Sequence, residues 1–239
     1  MLNKIKLFYR ENKVISIIVP ITFFIILTLG IIFKPDPLAI APLFVSLVVM
    51  VLQARVNRYA LLLGSLNSLL YCYYYFTMGL MSNFLYAIII SFPLQLVSFI
   101  NWSRNTKGSV TTLKKMTAAQ YVFSGIGFVV MWVAIYFGIS LFGNASYSVL
   151  DTLTTVLGLA VTVLTMLRFA EYVILQCISC SITIVMYSVI VAGGDLPSTT
   201  YLVYAIYCLI CVALAAVRMF KTHPEIIANR RPADKGEGI

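Results

Sequence analysis

The chain has 239 residues, of which 61% are hydrophobic and only 10% charged, against about 25% charged in an ordinary soluble domain. Too few charges are present to cover a water-facing surface, which excludes a soluble globular protein and places the chain in the membrane class. The net charge of +9 would fit nucleic-acid binding if it formed a patch, but the basic residues stand at the ends of apolar segments, the pattern of membrane orientation.

In chain order, Lys4, Lys6, Arg10 and Lys13 precede a first apolar run, Val14–Phe33. No small-residue cleavage site follows it. The run ends in Phe33-Lys34-Pro35-Asp36-Pro37, so it reads as a retained helix rather than a signal peptide. Seven further segments follow: Leu38–Leu52, Tyr59–Met78, Phe84–Trp102, Gln120–Phe142, Val149–Leu167, Tyr172–Val191 and Tyr201–Phe220. A bilayer core takes roughly 20 apolar residues per helix, and turn or charge signals separate the runs. The second is short and contains Pro42, and Pro93 predicts a kink in the fourth. The expected fold is an all-α integral membrane protein of eight transmembrane helices.

Orientation follows from the basic residues. With the N-terminus cytoplasmic, the inside pieces hold Lys4, Lys6, Arg10, Lys13, Arg55, Arg58, Arg104, Lys107, Lys114, Lys115, Arg168, Arg218, Lys221, Arg230, Arg231 and Lys235. Those are 16 of the 17 Lys and Arg, and only Lys34 falls outside. This asymmetry puts both termini on the cytoplasmic side.

An internal repeat is legible. Setting Arg55 on Arg168 pairs Tyr59 with Tyr172, Leu62 with Leu175, Ser68 with Ser181 and Tyr74 with Tyr187. Leu85-Tyr86-Ala87-Ile88 then meets Val203-Tyr204-Ala205-Ile206. Helices 2–4 pair with helices 6–8, and helix 5 links them, so the repeats are parallel. The organisation is residues 1–37 as cytoplasmic segment and extra helix, 38–104 as a first three-helix unit, and 105–147 as basic loop and linker helix. A second unit occupies 148–220, and 221–239 form a basic tail. Two such units around one axis, with polar groups facing inward, are a transporter architecture.

Asp151 is the one charged residue well inside a segment, and its place in Asp151-Thr152-Leu153-Thr154 predicts an N-cap of its own helix. Ion-coupled pumps need intramembrane charges as waypoints, so their scarcity points to passive movement of a neutral or weakly charged solute. The uncharged polar residues are the candidates to contact it. Asn67, Tyr71 and Tyr74 share one face of helix 3; helix 4 carries Tyr86, Gln95, Asn101 and Trp102; Gln176 and Tyr187 lie on helix 7 and Tyr204 on helix 8. Amides hydrogen-bond a ring or ribose and aromatics stack on it; the alternative role is interfacial belt and interhelical packing. Cys177-x-x-Cys180 and Cys208-x-x-Cys211 have zinc or redox spacing, but lie in apolar helices, with the single His in the tail at His223. Small-residue packing is the reading preferred for them over a membrane thiol-redox enzyme, and no metal or cofactor is expected. The basic stretch Arg104–Lys115 and the tail read as orientation signals near anionic lipid.

These features resemble the Pnu-type transporter family, whose best-known member takes up nicotinamide riboside. Phe99-Ile100-Asn101-Trp102-Ser103-Arg104 is similar to the family's aromatic-Asn-Trp-basic ending. Leu150-Asp151-Thr152-Leu153-Thr154-Thr155 is similar to its Leu-Asp-x-x-Thr-Thr segment, and Arg168 through Glu171-Tyr172 to its Arg-x-x-Glu-Asn-Trp entry. The match spans about residues 38–220. The resemblance implies a non-enzymatic uniporter in a bacterial cytoplasmic membrane, related in fold to the SWEET sugar transporters. It also implies a solute trapped by a cytoplasmic kinase; a homo-oligomer, a trimer for instance, is left open. Where nicotinamide riboside members carry a Trp-x-x-Trp on helix 7, this chain reads Tyr172-Val173-Ile174-Leu175-Gln176, and its only tryptophans are Trp102 and Trp132. A cationic nicotinamide ring favours tryptophan faces. Their loss turns the expectation towards a nucleoside-type solute such as a deoxyribonucleoside, with nicotinamide riboside, thiamine or riboflavin as alternatives.

Overall fold

The computed structural model describes residues 13–33, 36–107, 110–140 and 148–222. Lys4, Lys6, Arg10, Lys34 and the tail that holds His223 lie outside the described residues. Among the described residues there are eight long helices: α1 (Lys13–Phe33), α2 (Pro37–Gln53), α3 (Tyr59–Thr77), α4 (Met81–Arg104), α5 (Ala118–Ser140), α6 (Ser148–Met166), α7 (Tyr172–Ala192) and α8 (Thr199–Val217). Five, namely α4, α5, α6, α7 and the stretch Leu196–Phe220 that contains α8, are long and apolar enough to span a bilayer; α1 and α2 contribute shorter apolar stretches. α3 is more polar because Ser65, Asn67, Ser68 and four consecutive-turn tyrosines between 71 and 75 interrupt its apolar run. Large apolar side chains such as Phe123 (76% exposed) and Ile31 (66%) face outward. That surface suits hydrocarbon and not water.

Helix starts and stops have local causes. Asp36 N-caps α2, its carboxylate accepting the Leu38 N–H at 2.9 Å ahead of Pro37, and Tyr73 OH donates to the same carboxyl. Pro93 lacks an N–H and would clash with the preceding turn of a regular α-helix. Instead of a simple kink, α4 takes a π-helical stretch over Tyr86–Ser91, where the Phe92 N–H reaches back to the Ala87 carbonyl. The wider turn is what a π-bulge provides.

Six helices close into a ring in chain order. α2 packs on α3, α3 on α4, α4 on α6, α6 on α7, α7 on α8, and α8 returns to α2. This order puts α2 across the ring from α6, α3 from α7 and α4 from α8. α1 lies outside against α8 and α2, and α5 lies outside against α6.

The turns within the two helix triplets share a geometry. At α2–α3, Val56 is left-handed (φ 56°), its N–H bonding Gln53 O (2.9 Å) while Asn57 N–H bonds Leu52 O (3.0 Å). At α6–α7, Arg168 is left-handed (φ 63°), its N–H bonding Thr165 O (3.0 Å) while Phe169 N–H bonds Leu164 O (2.9 Å). Both are Schellman closures. They match bond for bond when Val56 is set on Arg168, one residue off the pairing with Arg55. Gly79 (φ 68°) and Gly194 (φ 104°) occupy the corresponding place in the α3–α4 and α7–α8 turns, where a side chain would be strained.

Helix alternation collects Arg55, Arg58, Arg104, Lys114, Lys115, Arg168 and Arg218 at one end of the bundle, and Asp36, Asp151 and Asp195 at the other. The stretch after α4 forms a two-residue antiparallel ladder, Thr106–Lys107 with Val110–Thr111. It is then tied to the α6–α7 turn: Lys114 N–H bonds Arg168 O (2.7 Å) and Ala170 N–H bonds Lys114 O (2.8 Å). Asp151 corrects the expectation of a self-cap. It lies fully buried in the first turn of α6, and its carboxylate accepts the Ser82 N–H (3.0 Å) and the Asn83 N–H (3.4 Å). The Asn83 amide donates to the same group. The carboxylate therefore caps α4, not α6, because the first-turn side chain points across the helix contact into the unsatisfied N–H groups of its neighbour.

Candidate functional site

The ring encloses a cavity of about 280 Å³. Helical spacing builds its walls: Gly64, Asn67, Ser68, Tyr71 and Tyr75 on α3, Thr154, Gly158, Thr162 and Thr165 on α6, and Gln176, Ser179, Thr183 and Tyr187 on α7. The π-helical stretch of α4 turns Tyr86 and Ser91 inward above Gln95, and α8 adds Tyr204. Among the described residues, no Asp, Glu, Lys or Arg lines it.

Its polar groups are held in place. Asn67 Nδ2 donates to the Pro42 carbonyl (3.1 Å) and to Ser46 Oγ (2.6 Å), and Ser46 Oγ lies 3.0 Å from Tyr71 OH. Asn67 Oδ1 is buried and, among the described residues, receives no donor. Gln95 Nε2 donates to Ser91 Oγ (2.7 Å) and Ser68 Oγ (3.2 Å), which are 2.9 Å apart. Gly64 makes room for this amide, since a Cβ there would stand 2.3 Å from Gln95 Oε1. Tyr86 OH donates to the Gly158 carbonyl (2.9 Å) and lies 2.6 Å from Thr162 Oγ1, and a Cβ on Gly158 would meet the Tyr86 ring at 3.2 Å. Tyr71 and Tyr75 stack at 5.4 Å. Amide, hydroxyl and ring-face groups fixed by a second layer of bonds suit recognition of one small polar ring system.

Of the sequence candidates, Asn67, Tyr71, Tyr86, Gln95, Gln176, Tyr187 and Tyr204 line the cavity. Three lie outside that lining. Asn101 Nδ2 donates to Met166 O and Trp102 Nε1 to Thr165 O, both at 2.7 Å, docking the end of α4 on the end of α6. Tyr74 lies beyond the cavity, stacked on Tyr201. Tyr75, Asn83 and the Thr154-Gly158-Thr162-Thr165 stripe were missed; the stripe's helical period was the signal that could have found it.

The two ends differ. Towards the basic end the lining reaches Gln53, Ala60 and Leu61. At the aspartate end it stops at Tyr75, Asn83 and Tyr187, and behind them Tyr74 and Tyr201 are each no more than 4% exposed. Tyr201 is stacked on Tyr74 and on Tyr187 (5.4 Å), and its OH donates to the Ala39 carbonyl. Cys180, Cys208 and Cys211 pack in the core of α7 and α8 and are not themselves part of the cavity lining, with Gln176 Nε2 3.8 Å from Cys180 Sγ.

The family model described as nicotinamide mononucleotide transporter matches residues 36–221, most of the chain and all six helices of the ring. The chain belongs to that family. It is a multi-pass membrane transporter and not an enzyme. Comparison with curated proteins finds no match. Among solved structures, the crystal structure of the vitamin B3 transporter PnuC is similar, with a TM-score of 0.68 and 19% identity over 85% of this chain and 92% of that one. At that identity the likeness is one of fold.

Proposed function

We propose that the chain carries an uncharged, nucleoside-type solute, a deoxyribonucleoside for example, down its gradient through the central cavity. The observation that carries this reading is the absence of any charged residue, among the described residues, from a lining rich in amides, hydroxyls and tyrosine rings. A nucleotide's phosphate calls for arginine, lysine or a helix N-terminus, so the unphosphorylated form suits this cavity better than the mononucleotide in the family's description. The unpartnered Asn67 Oδ1 offers an acceptor to a base N–H, Gln95 offers its carbonyl, and Tyr71 and Tyr75 offer ring faces. At about 280 Å³ the cavity lies just below the roughly 300–1,000 Å³ usual for ligand sites.

In this reading residues 38–104 and 148–220 are the two moving units, with 105–147 as linker. The basic end faces the cytoplasm by the positive-inside rule, so the cavity is reached from inside while the Tyr74–Tyr201–Tyr187 stack closes the outside. With Asp151 committed to α4, no carboxylate among the described residues lines the cavity to serve proton coupling. Accumulation then rests on a cytoplasmic kinase, and any homo-oligomer is an assembly of independent paths. A second reading is nicotinamide riboside, favoured by the tyrosine faces, which also attract a cationic ring, and by the vitamin B3 carried by the solved relative.

The test is a thermal-shift screen on the purified protein over deoxynucleosides, ribonucleosides, nicotinamide riboside, nicotinamide mononucleotide, thiamine and riboflavin, followed by uptake into proteoliposomes. Stabilisation by a nucleoside and not by the mononucleotide, with saturable uptake in the absence of any ion gradient, is the expected result. Uptake that strictly requires a proton or sodium gradient would overturn passive transport.

A further inference from the structure

A second cavity, of about 420 Å³, lies outside the ring between α5 and the α6–α7 pair. Its walls are apolar along most of their length, with Phe128 and Met131 of α5 facing Val156 and Ala160 of α6 and Ile174 and Ile178 of α7. Gly125 and Gly127 line it, and a Cβ on either would meet nothing within 4 Å, so protein does not fill this space.

One end is different. Glu171 lines the cleft, is 8% exposed, and sits at the start of α7 at the basic end of the bundle. Its Oε1 accepts the Met116 N–H and the Tyr121 OH, each at 3.0 Å. Its Oε2 is buried and, among the described residues, has no donor. A buried carboxylate oxygen left without a donor is costly. Lys114 and Lys115, exposed, immediately precede Met116 at the same end.

An apolar cleft of this depth, opening from a bilayer-facing helix, with one unmatched carboxylate oxygen at headgroup level and lysines beside it, has the complementarity of a zwitterionic amphiphile. We propose that it binds a membrane phospholipid with a primary ammonium headgroup, of the phosphatidylethanolamine class. The ammonium donates to Glu171 Oε2, the phosphate lies towards Lys114 and Lys115, and one acyl chain runs along Gly125, Gly127 and Ile178. From Glu171 to Ile178 the helix rises about 10 Å, enough for the upper part of an acyl chain. A choline headgroup has no N–H to give, and a glycerol headgroup carries no cation, so the site discriminates between lipid classes by Oε2.

The experiment uses the full-length protein, delipidated in detergent, with phosphatidylethanolamine, phosphatidylcholine and phosphatidylglycerol of matched acyl chains, read by native mass spectrometry and thermal shift. Phosphatidylethanolamine is expected to bind about tenfold tighter than the other two, as a charge-assisted bond would give. Glu171→Gln removes that preference, and Gly127→Leu, whose Cβ meets nothing within 4 Å and whose side chain enters the cleft, abolishes retention of all three without lowering the stability of the lipid-free protein. Equal binding of the three lipids, a preference for phosphatidylglycerol, or an unchanged preference in Glu171→Gln would overturn the proposal. So would efficient cross-linking between copies through a Gly127→Cys residue on a cysteine-free background, which would make a second copy the occupant. If Glu171→Gln does not fold, Gly127→Leu decides: undiminished phosphatidylethanolamine retention overturns the site.

Discussion

The ring of Tyr74 lies flat on that of Tyr201, with centroids 3.7 Å apart and planes 11° from parallel, and Tyr201 OH holds the Ala39 carbonyl of α2. One contact thereby joins α3, α8 and α2 at the aspartate end. Tyr201→Phe keeps the stack and loses one hydrogen bond, about 1 kcal/mol; Tyr201→Ala also empties a buried aromatic site, about 3–5 kcal/mol. Thermal unfolding should rank the two in that order. Neither residue lines the cavity, so Tyr201→Phe should leave solute affinity unchanged in a binding titration.

Asp151→Asn places an amide against the Ser82 and Asn83 N–H groups it now serves as an acceptor. One face of the new side chain is a donor facing donors. A loss of about 1.5–3 kcal/mol is expected for hydrogen bonds to a charged group, seen as a lower Tm, while an exposed control such as Lys115→Gln should not move it.

Asn67→Ala and Gln95→Ala each remove one of the amides of the cavity wall. Each should weaken solute binding about three- to tenfold, the worth of a neutral hydrogen bond, with folded protein retained. Asn101→Ala serves as contrast: its amide bonds the Met166 carbonyl outside the cavity, so it should lower Tm and leave affinity alone.

Gly64→Ala adds a methyl whose carbon would stand 2.3 Å from Gln95 Oε1. That oxygen ends a flexible side chain, so the amide swings away and the helices stay. The variant should fold and lose affinity to the extent Gln95→Ala does; the same titration checks it, and wild-type affinity would show that Gln95 does not meet the solute.

The Tyr73 hydroxyl and the Leu38 N–H hold the Asp36 carboxyl below the usual carboxylate pKa. Its folded pKa is thus lower than the unfolded value of about 3.9. The contribution to stability is complete above that value and is lost as pH falls through the folded pKa. The Tm gap between wild type and Asp36→Asn should be flat from about pH 8 to 5 and close only in stronger acid, as scanning calorimetry can follow.

Hydropathy alone determined the number of helices and the clustering of basic residues at one end, because both depend on solvent class and not on partners. Helical period also put Asn67 and Tyr71 on one face of α3, since residues three to four apart lie on the same side of a helix. What tertiary packing decided was how far along each face the cavity runs. Tyr74 shares a face with Tyr71 yet belongs to the closed end, and Asn101 and Trp102 are polar but meet the orphan carbonyls at the end of α6. Asp151 shows the reason most plainly. A carboxylate in a first turn can cap its own helix or a neighbour's, and only the contact between α6 and α4 made it the neighbour's.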